Sequence, residues 1–522
     1  MNVMKERVGL LSRVTIMQGV MLLTTVFISL CLVYTIGMMV YNVFFHPLRK
    51  YPGPKWWAAS RVPFIYHSTN GRVHNEILKL HKKYGGIVRI GPKELSYTTK
   101  NAWKEIYGLR SNEMSKDLRG SGLLPTFAEA PAINTAPRKD HARMRRTVAH
   151  AFSEKALREQ EDRMQYYVDL LISRLRDKCI EGPQDIVSWL NYTTFDIMGE
   201  LTYSQPFGCL EEGRYHDWVK MIFQGIKQHP WVQALLWYNL TALRKWLTPH
   251  ELVEAKSKAD NNAISTVDER LAKKDNIDRK DFMSYILRHN DDRGMSDAEI
   301  KQTAIILMVA GSETTATFLS GALYLLLRNP RVYERLVKEI RDTFSTYESI
   351  GIVSTNELRY LPAVVAESFR CYPPAPNTHP RIVPEPGEFI EERWVPGDTT
   401  VGVSQWATNH DPENFYRPDD FLPERHLPDL HPLRDESQDV PAHLFEDDNK
   451  EVVQPFSVGP RNCLGKNLAY GELRSILAKL LWTFDLELSP QSDNDKWITT
   501  QQTFMLWEKP SLYVNITPRK EA

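Results

Sequence analysis

Apolar residues gather at three places along this chain, each with its own pattern. The first is continuous. Val14 to Leu48 carries no Asp, Glu, Lys or Arg, and Val20 to Val43 is mostly apolar. About 20 such residues cross a bilayer as a helix. The run is too long for a cleaved signal peptide and lacks a clear small-residue cleavage site. It predicts a transmembrane anchor over 14–45 behind an N-terminal tail, 1–13. Lys5, Arg7 and Arg13 precede the span, and Arg49, Lys50, Lys55 and Arg61 follow it, a slight lean towards a cytoplasmic C-terminal side. The second gathering starts at Ser296-Asp297-Ala298-Glu299, a capping box, and runs to Leu327, where Asn329-Pro330 stops it. That predicts a helix roughly 45–50 Å long. It is apolar nearly all round, hence buried, and too interrupted by polar residues to be a second span. The third, Leu468 to Phe484, reads as a helix that follows directly on a cysteine-bearing loop.

Weaker patterns fill the intervals. His46 to Pro54 holds three prolines, which predicts a stiff, extended hinge over 46–60 before one large unit, 61–522. Val73 to Tyr84 has helical periodicity, and Ile87–Ile90 and Leu95–Thr98 read as a hairpin split by Gly91-Pro92. Arg110 to Pro137 is an irregular loop punctuated by Gly and Pro. His141 to Arg146 opens a helix, and Glu154 to Asn290 is largely helical. Thr399–Val403 is a strand, and His431 to Lys450 is a polar, acidic surface loop. The sum is a mainly α protein with small β-sheets.

Composition narrows the function classes. The 65 basic and 65 acidic residues among 522 give no case for nucleic acid binding. Five scattered cysteines without CxxC spacing form neither a disulfide framework nor a zinc site, and they fit a reducing compartment. No GxGxxG fingerprint or P-loop is present, so the chain does not itself hold a nicotinamide dinucleotide in the usual way.

The chemistry concentrates in Phe456-Ser457-Val458-Gly459-Pro460-Arg461-Asn462-Cys463-Leu464-Gly465. A thiolate is a strong ligand for haem iron and favours O–O cleavage. Cys463 precedes a helix N-terminus, whose outward N–H groups and positive dipole stabilise a thiolate. Gly459 and Gly465 allow the backbone to turn and approach a flat ring, Arg461 offers a fork for a carboxylate, and Phe456 is placed to shield the sulfur. A buried structural cysteine is the ordinary alternative. Five specified positions recur by chance in a chain of this size only about 10⁻⁴ times. In the middle of the long helix, Ala310-Gly311-Ser312-Glu313-Thr314-Thr315 puts a glycine and four polar groups into a buried segment, which is costly unless used. Gly311 would admit a flat group, and Glu313 beside Thr314 makes an acid–alcohol pair able to relay protons. Glu367 and Arg370 share a helix face at i,i+3 among apolar neighbours, and Arg425 of Pro423-Glu424-Arg425-His426 is a candidate third partner.

These motifs, with every fixed position of F-x-x-G-x-R-x-C-x-G present, resemble the cytochrome P-450 superfamily, microsomal type. The stretches FHPLRKYPGP and TFDIMGELTYSQPFGCLE are similar to those of fungal members. The resemblance implies the P-450 fold with an N-terminal transmembrane helix, and haem b held between the long helix and Cys463, the axial iron ligand. It implies propionate contacts from Arg145, from His141 in place of the family's usual Trp, and from Arg381, with Ala310 and Gly311 over the ring. It casts Glu367, Arg370 and Arg425 as a structural network, Arg110 to Pro137 as a substrate-covering loop, and the aromatic stretch Phe207 to Pro249 as a lid. The implied activity is monooxygenation of a lipophilic secondary metabolite, of terpenoid or polyketide type. Electrons would come from NADPH through a separate FAD/FMN reductase, or through cytochrome b5 for the second, docking at Arg143, Arg146 and Lys466. The implied place is the endoplasmic reticulum membrane, catalytic domain on the cytoplasmic side. The alternatives are a haem-thiolate isomerase, dehydratase or synthase without O₂ insertion, and a non-catalytic haem sensor.

Overall fold

The first apolar gathering forms one continuous helix, Asn2–Phe44, that takes in the predicted tail as well as the anchor. Its apolar part, Ile16–Phe44, has a mean hydropathy of 2.2 and is exposed over most of its length; only near its end does it meet the rest of the chain, where Asn42 is buried and donates to Ala59 O (3.0 Å). The computed structural model describes residues 2–120, 130–240, 264–272, 281–291, 293–428, 431–435, 437–492 and 495–520, and over 2–15 the backbone alone.

The hinge is docked rather than extended. His46 caps a 3₁₀ turn, Pro47–Lys50, by accepting from Leu48 N (3.1 Å), and Leu48 is wholly buried. Pro52 O then accepts from Arg89 N (2.7 Å), Tyr51 donates to Trp394 O (3.1 Å), and Lys55–Ala59 is already helical. Proline restricts φ without forbidding a tight turn, and the apolar Leu48 has a core to enter.

Beyond the hinge the domain is mainly helical, with small sheets. The largest sheet has five strands. Ile87–Gly91 pairs antiparallel with Glu94–Tyr97, as predicted, and Glu94–Tyr97 pairs parallel with Thr400–Val403. Arg381–Ile382 and Ser115–Lys116 complete it, so the loop after Arg110 contributes an edge strand. A two-stranded hairpin, Gln502–Thr503 with Trp507–Glu508, projects Phe504, Met505 and Leu506 between its strands.

The long helix spans Asp297–Leu327, 31 residues or about 46 Å, with the predicted capping box formed by Ser296 and Glu299. Most of it is buried, as a core helix requires. It packs along Ile186–Tyr203, whose residues are all buried except Ser188.

Leu361–Cys371 carries Glu367 and Arg370, both fully buried. Arg370 forks Glu367 (2.7 and 2.9 Å), Arg425 Nε adds a bond to Oε1 (3.0 Å), and His426 lies 3.0 Å from Oε2. Burial alone would raise the Glu367 carboxyl, but Arg370, His426 and Arg425 outweigh it and hold it well below the usual range. Arg425 reaches on to Asp448, and Asp439 binds Arg331 and Arg335. The acidic 431–450 segment, predicted as surface loop, therefore supplies two counter-charges, Asp439 and Asp448, whose side chains are buried.

Two stability predictions follow from these burials. Glu367→Ala strands two buried arginines and should cost about 3–5 kcal/mol in urea unfolding; a loss under about 1 kcal/mol would contradict the network. Burial also keeps three enclosed histidines neutral, pushing His74 and His410 down to about 3 and His81 down to about 4. The unfolded chain protonates them near pH 6.5, so it binds more protons below that pH. Stability should fall between about pH 6.5 and about pH 4, by about 1.4 kcal/mol per pH unit for each histidine. A thermal midpoint unchanged between about pH 7 and about pH 5 would contradict this.

Candidate functional site

The Cys463 loop and the middle of the long helix meet in one cavity of about 420 Å³, lined by Cys463, Phe456 and Arg461 from the loop and by Val309, Ala310 and Thr314 from the helix. The loop holds its shape through backbone. Cys463 N donates to Phe456 O (2.8 Å), and the chain reverses through Ser457 and Gly459 at φ 57° and 75°. A Cβ on Gly459 would stand 2.0 Å from Tyr107 O, so its glycine is required by the neighbouring backbone rather than by a flat ring. At Gly465 the nearest protein atom to a Cβ is 3.7 Å away, and the protein alone imposes no such limit. Lys466–Thr483 follows as the predicted helix.

The Cys463 thiol opens into the cavity. Burial pushes it up, against the Gly465 N–H and the charges of Arg145 and Lys466, which pull it down. The expected low-lying thiolate is thus not made by the protein alone; a bound metal cation deprotonates a coordinating thiol outright. Phe456 packs tilted against Tyr470 (5.1 Å) and edge-on to Phe369 (5.3 Å), and Phe369 touches Phe318 of the long helix (4.1 Å). The Glu367 helix is thereby wedged between both halves of the site.

One edge of the cavity is strongly cationic. Lys116, Arg381 and Arg461 line it together with His379. Arg381 is 4 % exposed, yet its Nε and Nη1 have no hydrogen-bond partner among the described residues. His141 is buried beside them; burial first, then Arg461 and Lys116, push it down to about 3. Lys116 is pushed down to about 7 by burial and by Arg381 and Arg461. Arg461 is not a free fork: Glu113 takes its Nε and Ala136 O accepts from Nη1 (3.0 Å). Arg145 is likewise engaged, donating to Asn462 O (2.7 Å) and Oδ1 (2.6 Å), which braces the cysteine loop from behind. A buried arginine with orphaned nitrogens, in a cationic edge beside a single open thiol, suits a planar dianionic iron chelate such as haem.

The long helix divides its polar residues. Thr314 faces the cavity and donates to Ala310 O (2.6 Å). Ala310 also faces it, but Gly311 does not: a Cβ there would stand 2.6 Å from the Met198 side chain. That glycine permits the close approach of the helix Ile186–Tyr203. Glu313 points away as well. It is 1 % exposed, is ion-paired with Lys509, and accepts from Thr317 Oγ1 (3.2 Å). Both members line a second cavity of about 280 Å³ and mixed polarity. Adjacent positions on a helix point about 100° apart, so Glu313 and Thr314 need not share a face.

Lys116, His379 and Lys509 were missed in the sequence because each lies in a segment without periodicity or motif. Within the stretch expected as a lid, the described residues form the helix Asp217–Trp237, whose His229 and Gln233 line the cavity; residues 241–249 lie outside the described residues. Arg143, expected at a docking face, is tied to Glu299 and Asp140, whereas Lys466 is exposed.

Comparison with known proteins agrees with this geometry. The cytochrome P-450 family model matches residues 51–515. The cytochrome P-450 monooxygenase astA of Talaromyces wortmannii is 44 % identical over 497 residues, 94 % of this chain and 96 % of that protein. Averantin hydroxylase of Dothistroma septosporum is 38 % identical over 522 residues, 99 % and 96 % of the two chains. The cytochrome P-450 monooxygenase stcF of Emericella nidulans is 41 % identical over 489 residues, 93 % and 98 %. The chain belongs to the cytochrome P-450 family. It is a monooxygenase of that family, with haem, O₂, a redox partner and a lipophilic substrate implied by membership, and its apolar N-terminal helix fits a single-pass anchor.

Gly311→Ala should destabilise the protein by about 1–3 kcal/mol through the clash with Met198. Met198→Ala in the same chain should recover much of that loss. Failure of the second substitution to help would mean that Gly311 is needed for something other than this crossing.

Proposed function

We propose that the protein hydroxylates a lipophilic polyketide-type secondary metabolite, in the endoplasmic reticulum membrane with its catalytic domain on the cytoplasmic side. The observation that carries this reading is the meeting of the Cys463 thiol with Thr314 and Ala310 in one cavity. Similarity to averantin hydroxylases supports the hydroxylation of a polyketide.

In this reading Cys463 would ligate the iron of haem b, and the unpaired nitrogens of Arg381, with Lys116 and His141, would hold its propionates. When bound, the haem supplies O₂ activation. The chain does the rest. Phe369 and Phe456 keep water from the sulfur side. Thr314, its own proton committed to Ala310 O, keeps its Oγ lone pairs for a water or proton donor in the cavity. Glu313 serves as the proton source beside it when its side chain leaves Lys509. Phe504, Met505 and Leu506 press the substrate from the hairpin side. Electrons come from NADPH through a separate FAD/FMN reductase, with cytochrome b5 as a second donor. Lys466 and Arg146, both exposed, are the docking cations.

In membranes with a fungal reductase and NADPH, the protein should convert a polyketide-rich extract to products with one added oxygen. Cys463→Ala should abolish both the Soret band of a thiolate-bound reduced-CO haem and the product. Thr314→Ala should keep the band and lose at least about tenfold in product per NADPH consumed. A thiolate band surviving in Cys463→Ala would overturn the ligand assignment, and unchanged coupling in Thr314→Ala would overturn the role of that hydroxyl.

A further inference from the structure

The cavity has a polar wall that the oxygen chemistry does not use. His229 and Gln233 both line it, one helical turn apart on Asp217–Trp237. Neither side chain makes a hydrogen bond to a described residue, although His229 is only 7 % exposed and its Nε2 is fully enclosed. Burial pushes His229 down to about 4, so it is neutral at physiological pH and offers one donor and one acceptor. Gln233 adds an amide with both. One further turn along, Trp237 stacks on the Arg61 guanidinium at 3.3 Å. Arg61 is ion-paired with Glu94, both side chains are at most 9 % exposed, and both line the same cavity. Buried polar groups without partners cost free energy, and a buried ion pair in a binding cavity is costly to desolvate. Both costs are recovered when a ligand completes the hydrogen bonds.

We propose that His229, Gln233 and the Arg61–Glu94 pair form a subsite for a neutral oxygen function, a phenol hydroxyl or carbonyl, on an otherwise apolar substrate. The inference rests on the monooxygenase reading for its substrate, but the subsite is defined by binding alone. Arg61 is already neutralised by Glu94, so the subsite carries no net charge and selects against a carboxylate. His229 and Gln233 sit on a different wall from the Cys463 loop. They fix the polar end of the molecule and so decide which carbon is presented to the thiol side.

Equilibrium dialysis of the full-length, haem-loaded protein in detergent tests this with three probes of one ring skeleton: naphthalene, 1-naphthol and 1-naphthoate. The wild type should bind 1-naphthol about three- to tenfold more tightly than naphthalene, as one or two hydrogen bonds allow. It should show no preference for 1-naphthoate. Gln233→Leu and His229→Phe should each erode the preference for 1-naphthol while leaving naphthalene affinity within about twofold, which a folding defect would not do. A preference absent in the wild type, or retained in both variants, overturns the subsite. If the preference and its loss are observed but no oxygen is transferred to any product, the subsite stands and the monooxygenase reading fails.

Discussion

A carboxylate sealed from water must find cations, and around Glu367 that requirement organises the site. Arg370, Arg425 and His426 converge on it from two segments of chain, and Asp448 answers Arg425 in turn. The same helix turn carries Phe369, which lies between Phe318 of the long helix and Phe456 of the cysteine loop. Removing the charge network would free the wedge that sets the spacing between the thiol and Thr314. The network touches nothing in the cavity itself. Its contribution is rigidity, because a buried pair gives little net stability but tolerates only one arrangement.

The cavity between those two elements has three chemically distinct sides. One bears the thiol. One is cationic, with Arg381 Nε and Nη1 unpartnered among the described residues. The third is mixed, apolar around Ile306 and Leu506 and polar at His229 and Gln233. The three sides come from separate stretches of chain, which is how one scaffold keeps a constant chemical centre while its substrate wall varies.

Sequence patterns revealed the long-range plan because each element obeyed a local rule. The capping box at Ser296, the proline stop after Leu327 and the hairpin around Gly91-Pro92 lie within a residue or two of their expected places. The cysteine loop was legible because its residue types are rare in that order. What could not be read was direction. Gly311 and Glu313 belong to the expected motif, but one packs against Met198 and the other pairs with Lys509, and neither partner is near in sequence. Arg461 looked like a free fork until Glu113 was folded against it. Three prolines favour an extended hinge, but burial of Leu48 folds it into a turn. Partners across the fold carry no local signal, so side-chain orientation had to come from tertiary packing.

The central claim is that one atom of O₂ reaches the substrate through the thiol-bearing cavity. The most direct measurement places the full-length protein in membranes with a reductase and NADPH, under ¹⁸O₂ in ordinary water, and reads the isotope in the product by mass spectrometry. A monooxygenase gives a product carrying one ¹⁸O atom. Conversion of a metabolite without incorporation of the label would contradict the account and point to an isomerase, dehydratase or synthase working on the same scaffold.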